Sequence, residues 1–182
     1  MSKLIIVLLA GLWAVTINAI AADVATNATE KTAAKPTDAA RPAPVPAAKG
    51  PSLELAIEAA RVAIETCSAA GGQKIGASVV DSAGILKVLL AADGTSPRGV
   101  QSSTNKAVTA ITFKTATSQL TEQVKTDKAL ADKIAANTSF NARPGAVLIK
   151  VGDEVIGAIG VGGGKTDADC AIAGLQKIQS RL

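Results

Sequence analysis

The first strongly periodic segment of the chain predicts an amphipathic helix. Ser52 is the expected N-cap, and Gly71-Gly72 ends the segment. Apolar residues recur three and four positions apart and form one face, which comprises Leu53, Ala56, Ile57, Ala60, Ile64 and Cys67. A helix with one such face packs that side against a core.

Two short apolar runs follow, and they predict a pair of strands. Lys74 to Val80 and Ile85 to Ala91 are β-rich, and the turn residues Asp81 to Gly84 separate them. Their mainly apolar character favours a sheet that is covered by helices. For Asp81, hydrogen bonding to its own turn is favoured over a functional role.

Two helices are predicted in the middle of the chain. The first runs from Val100 to Lys114, and the residues that it turns inward are Val100, Ala107, Ala110 and Ile111. Thr117-Ser118 is expected to cap the second, from Gln119 to Ala136, whose inward positions are Leu120, Val124, Ala131 and Ile134. Asn137 to Pro144 is predicted to be a loop.

The chain closes with a predicted hairpin and a last helix. Val147 to Val151 and Glu154 to Val161 are apolar runs on either side of Gly152-Asp153, which is a hairpin signal. Thr166 to Asp169 opens the acidic start of the helix. The order helix, two strands, two helices, two strands, helix predicts an α+β domain with an antiparallel sheet.

A glycine run, Gly162 to Gly164, lies between this hairpin and the last helix. Such a run is expected to leave backbone N–H groups unpaired and pointing outward, so an anionic group could dock there. The other interpretation is that the glycines allow tight packing between sheet and helix. The run does not match a phosphate-binding P-loop, because the position five residues before Gly164 is Ile159 and not glycine.

The N-terminus has the pattern of a secretory signal peptide. A basic start, Met1 to Lys3, precedes an apolar run from Leu4 to Val15 that is too short to span a bilayer. Ala19-Ile20-Ala21 is a small-x-small cleavage site. We therefore predict a signal peptide over residues 1–21, with cleavage after Ala21, and a periplasmic or secreted mature protein that has no membrane span.

The mature chain divides into a linker and one domain. Ala22 to Pro51 is rich in alanine and proline and contains no aromatic residue, so it is predicted to be a disordered linker. Ser52 to Leu182 is of ordinary size for a single domain.

Missing residue types restrict the function. The chain has no His and no Tyr, and Trp13 and Met1 leave with the signal peptide. A histidine general base and a histidine metal site are therefore excluded. The net charge of +4 is modest, and Phe113 and Phe140 are the remaining aromatic residues, so nucleic acid is not an expected partner. An enzyme would depend on Lys106, Asp81 or a cysteine, and no nucleophile–base pair stands at informative spacing.

Cys67 and Cys170 allow two interpretations. In an exported protein two cysteines suggest one disulfide, and a loop of roughly a hundred residues would be worth about 4.7 kcal/mol in the entropy model. Alternatively, both are buried free thiols that act as small hydrophobic residues.

Four parts of the domain resemble one known family. Ala77 to Gly84 is similar to its Val-Val-Asp-x-x-Gly hairpin, and Asn105 to Ala110 to its Lys-Ala-x-Thr-Ala helix. Pro144-Gly145 with Gly152 to Gly163 is similar to its closing Gly-Ala-Ile-Gly-Val-x-Gly signature, and Asp169 matches an acidic residue early in its last helix. These segments resemble the GlcG/HbpS-type haem-binding (haem-degrading) family, over nearly all of the domain.

The resemblance implies a profilin-like fold with an antiparallel sheet of about five strands. A fifth strand would lie near Lys87 or within Ser139 to Ala142. It also implies homo-oligomers and haem as a cofactor or small-molecule ligand. No histidine is available to bind the iron, which leaves the Cys67 or Cys170 thiolate, Lys106 or a threonine hydroxyl. A disulfide would exclude the thiolates.

The haem propionates would then lie on cationic side chains. The residues predicted to bind such a ligand are Lys106, Arg98, Arg143, Gly160, Gly162 and Gly163. A surface lysine is the alternative for Lys106, and ordinary loop charges are the alternative for the two arginines.

The sequence thus supports an exported, oligomeric binding protein for haem or a related anionic small molecule. The alternative is a module of the same fold that has lost ligand binding and serves in structure or interaction. An enzyme of unknown reaction is the third and least favoured hypothesis.

Overall fold

The computed structural model of the chain describes residues 47–182. The predicted signal peptide and most of the predicted linker lie outside the described residues. Helices and strands follow one another as α1 Leu53–Ala69, β1 Gly76–Asp81, β2 Leu86–Ala91, α2 Pro97–Phe113, α3 Thr117–Gln123, α4 Lys128–Ala135, β3 Ala146–Val151, β4 Glu154–Gly162 and α5 Asp167–Ile178, with a final 3₁₀ turn Gln179–Arg181.

The four strands form one antiparallel sheet in the order β2-β1-β4-β3. The predicted α+β class with an antiparallel sheet is confirmed. The described residues contain four strands, one fewer than the resemblance implies. Lys87 lies inside β2, and residues 139–142 are loop.

The predicted second middle helix is in fact two helices. The first ends at Gln123, and after a short turn the Asp127 side chain caps a new helix by accepting a hydrogen bond from the Leu130 N–H at 2.9 Å. Aspartate competes with helical hydrogen bonding and favours caps, so α3 and α4 separate here. Thr117 does not cap its helix, and its hydroxyl instead accepts a hydrogen bond from the Ala146 N–H at 2.9 Å.

Two apolar layers lie on opposite faces of the sheet. On one face, α1 and α5 cover Val79 and Ile159, and α1 presents Ala56, Ala59, Ala60, Ala63 and Cys67. On the other face, α2 packs Ala107, Ala110 and Ile111 against Val80 and Ala158. β1 is buried along its whole length because helices cover both of its faces. Small side chains dominate both layers, so the helices approach the sheet closely.

A disulfide joins α1 to α5. It links Cys67 to Cys170 across 103 positions of sequence, with a Cα–Cα distance of 5.6 Å, and both residues are fully buried. Neither cysteine is a free thiol. Cross-linking a loop of this length stabilises a domain by about 4.7 kcal/mol in the entropy model.

The chain before α1 also contacts the domain. The Lys49 N–H donates to the Ser82 hydroxyl at 2.9 Å, and Ser82 returns a hydrogen bond from its N–H to the Lys49 carbonyl at 2.8 Å. Lys49 pairs with Glu154 at 2.7 Å, and Pro51 is buried. The last residues of the predicted linker therefore lie against the sheet.

Candidate functional site

A cleft of about 790 Å³ opens where the first turns of α2 and α5 face each other. Ser96, the N-cap of α2, and Thr166, which precedes α5, both line it. Helix N-termini carry a partial positive charge, so both helices direct a favourable potential for anions into the same space. The complete lining is Ser96, Arg98, Gly99, Ser102, Lys106, Asn141, Arg143, Pro144, Gly163, Gly164, Lys165, Thr166, Asp167, Ala168 and Asp169.

Three exposed cations lie on the walls of this cleft. Arg98, Arg143 and Lys165 line it, and none of them forms an ion pair within residues 47–182. The expectation that Arg98 is a loop residue is wrong: it is the second residue of α2, where a positive charge opposes the helix dipole. The Arg98 charge therefore lowers the stability of the helix. An anion bound in the cleft would compensate this charge.

Lys106 occupies the floor of the cleft and is only 3% exposed. Its ammonium group donates to Asp167 Oδ2 at 2.6 Å and to the Val161 carbonyl at 3.0 Å. A surface position, the alternative considered for this residue, is therefore wrong. Its charge is compensated by a buried carboxylate, so Lys106 holds α2 to the start of α5 and offers a ligand less charge than the exposed cations do.

The glycine run differs from the sequence expectation of unpaired N–H groups. Asp167 Oδ1 accepts from the Gly164 N–H at 2.8 Å. Gln73 Oε1 accepts from the N–H groups of Lys165 and Thr166. Side chains of the protein thus occupy the N–H group at the end of the glycine run and the two N–H groups that follow it. Gln73 lies 92 positions before Lys165, and nothing in its local sequence indicates this contact.

The predicted glycines separate into two groups. Gly163 lines the cleft with a φ of +110°, a conformation that favours glycine. Gly160 and Gly162 are buried under α2, where an added Cβ would meet the backbone of Ser103. Close packing, the alternative interpretation of the glycine run, accounts for both of these positions.

Arg143 is positioned by a loop that Asn141 organises. The Asn141 N–H donates to the Thr109 hydroxyl at 2.7 Å, and its side-chain amide donates to Ser102 at 3.0 Å. Asn141 Oδ1 in turn accepts from the Arg143 N–H at 3.1 Å. Sequence reasoning missed Asn141 and Ser102. The missed Lys165 could have been found, because it directly follows the glycine run.

The cleft is cationic overall. Four cationic side chains face two carboxylates, those of Asp167 and Asp169, which leaves a surplus of two positive charges. Within residues 47–182 no group of His, Cys, Asp and Glu side chains is arranged to hold a metal ion. The surplus of positive charge suits an anionic ligand.

Asp81 stays within its own turn. Its Oδ1 accepts from the N–H groups of Ala83 and Ile85, both at 2.9 Å.

None of the helices in residues 47–182 combines the length and the apolar character that crossing a bilayer requires.

Comparison with known proteins gives a consistent result. A family model described as "Haem degrading protein HbpS-like" matches residues 52–176. A double mutant of Streptomyces reticuli HbpS is similar in structure, with a TM-score of 0.65 and 30% identity over 80% of this chain and 98% of that chain. No curated protein matches the chain.

Two further solved structures share the fold. Klebsiella pneumoniae protein ORFY is 26% identical, with a TM-score of 0.66 over 75% of this chain and 94% of that chain. PduOC, crystallised as a haem complex, is 22% identical, with a TM-score of 0.63 over 70% of this chain and 94% of that chain.

The buried ion pair should be worth far more than an exposed one of the same length. We expect Lys106→Met to destabilise the protein by about 3–5 kcal/mol, because it leaves Asp167 uncompensated. Lys106→Met combined with Asp167→Asn should cost less than the sum of the single changes, with a coupling of about 1–3 kcal/mol. Urea unfolding of the four proteins measures both quantities.

The chain provides a matched control for this cycle. Lys128 and Asp132 also pair at 2.6 Å, and their side chains are 87% and 66% exposed. Lys128→Met should change the free energy of unfolding by less than about 1 kcal/mol. If Lys106→Met and Lys128→Met lowered the free energy of unfolding equally, burial would not make the Lys106–Asp167 pair more important for stability.

Proposed function

Because this chain belongs to the family of HbpS-like haem-degrading proteins, we propose that it binds haem, or a related anionic small molecule, in the cleft between α2 and α5. One observation carries this proposal: Arg98, Arg143 and Lys165 converge on one cleft without an ion-pair partner in the described residues. Positive charge concentrated in this way raises the local concentration of an anionic ligand.

The cleft fits haem in two respects. Its volume of about 790 Å³ falls in the usual range for small-molecule sites. The exposed cations suit the two carboxylates of the porphyrin, since arginine pairs with carboxylates through two parallel hydrogen bonds. The relative crystallised with haem, PduOC, has the same fold and gives this ligand a precedent.

The hydrogen bonds of the hydroxyl groups in the cleft favour a binding function over a catalytic one. The Ser96 hydroxyl oxygen accepts from the Gly99 N–H at 3.1 Å, and that of Ser102 accepts from the Asn141 side chain. Within the described residues neither hydroxyl is hydrogen-bonded to a basic side chain, and the chain has no histidine. An activated nucleophile of the usual kind is therefore missing.

We also propose that the protein is exported and that its signal peptide is removed. The sequence pattern of residues 1–21 supports export. The Cys67–Cys170 disulfide supports it independently, because disulfides persist in oxidising compartments and are rare in the cytosol.

A second candidate function is that of an interaction module, and an exposed sheet edge favours it. β2 is an edge strand, and it carries Leu86 and Leu89, 45% and 38% exposed, next to Ile85 at 63%. An apolar edge with unpaired backbone groups favours pairing with another chain. We propose that a second copy of this chain covers it, as the homo-oligomer implied by the family resemblance would require.

Loss of the cleft cations should weaken ligand binding. Arg98→Ala and Arg143→Ala are each expected to raise the dissociation constant for hemin at least about tenfold, because each removes a charged partner of a ligand carboxylate. A titration read in the Soret region measures the change. Arg61→Ala is the control, since Arg61 is exposed on α1 and outside the cleft. Equal affinities in all three variants would contradict the site.

Processing and oxidation can be measured on one sample. Protein recovered from outside the cytoplasm of an expressing bacterium is expected to begin at Ala22 and to contain no thiol that reacts with an alkylating agent. Intact-mass spectrometry reads both properties. A chain that retains Met1 and stays in the cytoplasm would be incompatible with export.

The oligomer should depend on the β2 edge. Wild-type protein is expected to be larger than a monomer by light scattering, and Leu89→Lys should shift it toward the monomer, because a charge on an edge strand opposes pairing. Ile172→Lys alters a residue of similar exposure, 40%, on α5 and should leave the mass unchanged. A monomeric wild type would contradict the proposal.

A further inference from the structure

The side chains that usually bind haem iron cannot do so in this protein. Those side chains are His, Cys, Met and Tyr. The chain contains no His and no Tyr, and its one methionine is Met1, in the predicted signal peptide. Cys67 and Cys170 are fully buried and joined to each other. The sequence alternative of a cysteine thiolate ligand is therefore excluded by the disulfide.

Lysine does not fill this gap. The Lys106 ammonium group already donates to Asp167 and to the Val161 carbonyl. To bind iron it would have to lose its proton and leave a buried carboxylate uncompensated, which is strongly unfavourable. Lys165 is exposed on the wall of the cleft, where it is one of the three cations that can pair with a carboxylate.

The hydroxyl groups of the cleft already take part in hydrogen bonds within the protein, and iron would compete with these bonds. The hydroxyl oxygens of Ser96, Ser102 and Thr166 each accept a hydrogen bond from the protein, at 3.1, 3.0 and 2.8 Å respectively. The threonine hydroxyl considered as an iron ligand therefore already accepts from Gln73. Asp169 is the one exposed carboxylate of the lining, and its charge opposes an anionic ligand.

The cleft is thus well supplied for carboxylates and poorly supplied for iron. We propose that it recognises a tetrapyrrole by its carboxylate groups and not by its metal, so that the iron-free porphyrin binds about as tightly as haem. This inference rests on the proposed function, because it specifies which part of the ligand the cleft recognises. Affinity then comes from Arg98, Arg143 and Lys165 and falls as salt screens them.

Three pigments separate the contributions of metal and carboxylate. The purified protein is titrated with hemin, with protoporphyrin IX, and with protoporphyrin IX dimethyl ester. Hemin and protoporphyrin IX share both carboxylates and differ in iron, whereas the ester retains the ring without free carboxylates. The Soret shift measures binding of all three, and the fluorescence of the two iron-free pigments provides a second measurement.

Hemin and protoporphyrin IX are expected to have dissociation constants within about threefold of each other, and the ester should bind at least about tenfold more weakly. Binding of hemin alone would overturn the inference and leave the proposed function intact. Equal binding of the ester would overturn carboxylate recognition. Binding of none of the pigments would overturn the proposed function together with the inference.

A variant at Asp169 tests the remaining iron ligand directly. If the carboxylate of Asp169 opposes the ligand, Asp169→Asn should tighten both hemin and protoporphyrin IX by a similar factor of about two to five. Weaker binding of hemin alone would identify Asp169 as an iron ligand and contradict the inference. Arg98→Ala serves as the paired variant, since it should weaken both pigments equally.

Discussion

Lys106 reaches from α2 to Asp167 at the start of α5, and the two walls of the cleft depend on this buried ion pair. The pair is 2.6 Å long, and the lysine also donates to the end of β4 at the Val161 carbonyl. Asp167 uses its second oxygen to hold the Gly164 N–H. One carboxylate therefore fixes the lysine and the glycine run together. A buried pair of this kind tolerates the loss of neither partner.

Small residues make this arrangement possible. Gly160 and Gly162 let α2 lie directly on β4, where a Cβ would collide with the helix backbone. On the other face, the alanines of α1 bring that helix close to the sheet, and the Cys67–Cys170 bond ties it to α5. Helix α5 is thus held from both sides, by a disulfide and by an ion pair, within its first turn. The position of the cleft is set by this turn.

Charges near the cleft have two distinct roles. Lys106 and Asp167 compensate each other in the interior and maintain structure. Arg98, Arg143 and Lys165 remain exposed and have no carboxylate partner in residues 47–182. The charge of Arg98 also opposes the dipole of its own helix. This lowers the stability of the protein, and no ion pair in the described residues offsets the loss. The exposed cations are therefore the group on which the proposed ligand recognition depends.

The sequence by itself determined the features that depend on residues close together in the chain, namely most helices, strands and turns and their order. The periodicity before Gly71-Gly72 predicted α1, and Gly152-Asp153 predicted the closing hairpin. The order of elements and the local motifs were sufficient to predict the α+β class and the family, and both are confirmed. Where α4 begins was decided by the Asp127 cap, which an apolar period does not show.

Only the tertiary structure decided which groups remain available to a ligand. The sequence made Lys106 a candidate ligand contact. In the structure its ammonium group is paired with Asp167, 61 positions later in the chain. The amides of the glycine run were expected to be unpaired, but Asp167 accepts from the Gly164 amide, and Gln73, more than 90 positions earlier, accepts from the next two amides, those of Lys165 and Thr166. Local sequence shows that a donor or a charge exists. Whether it is already paired depends on contacts between distant segments, which form only when the sheet brings α2 and α5 together.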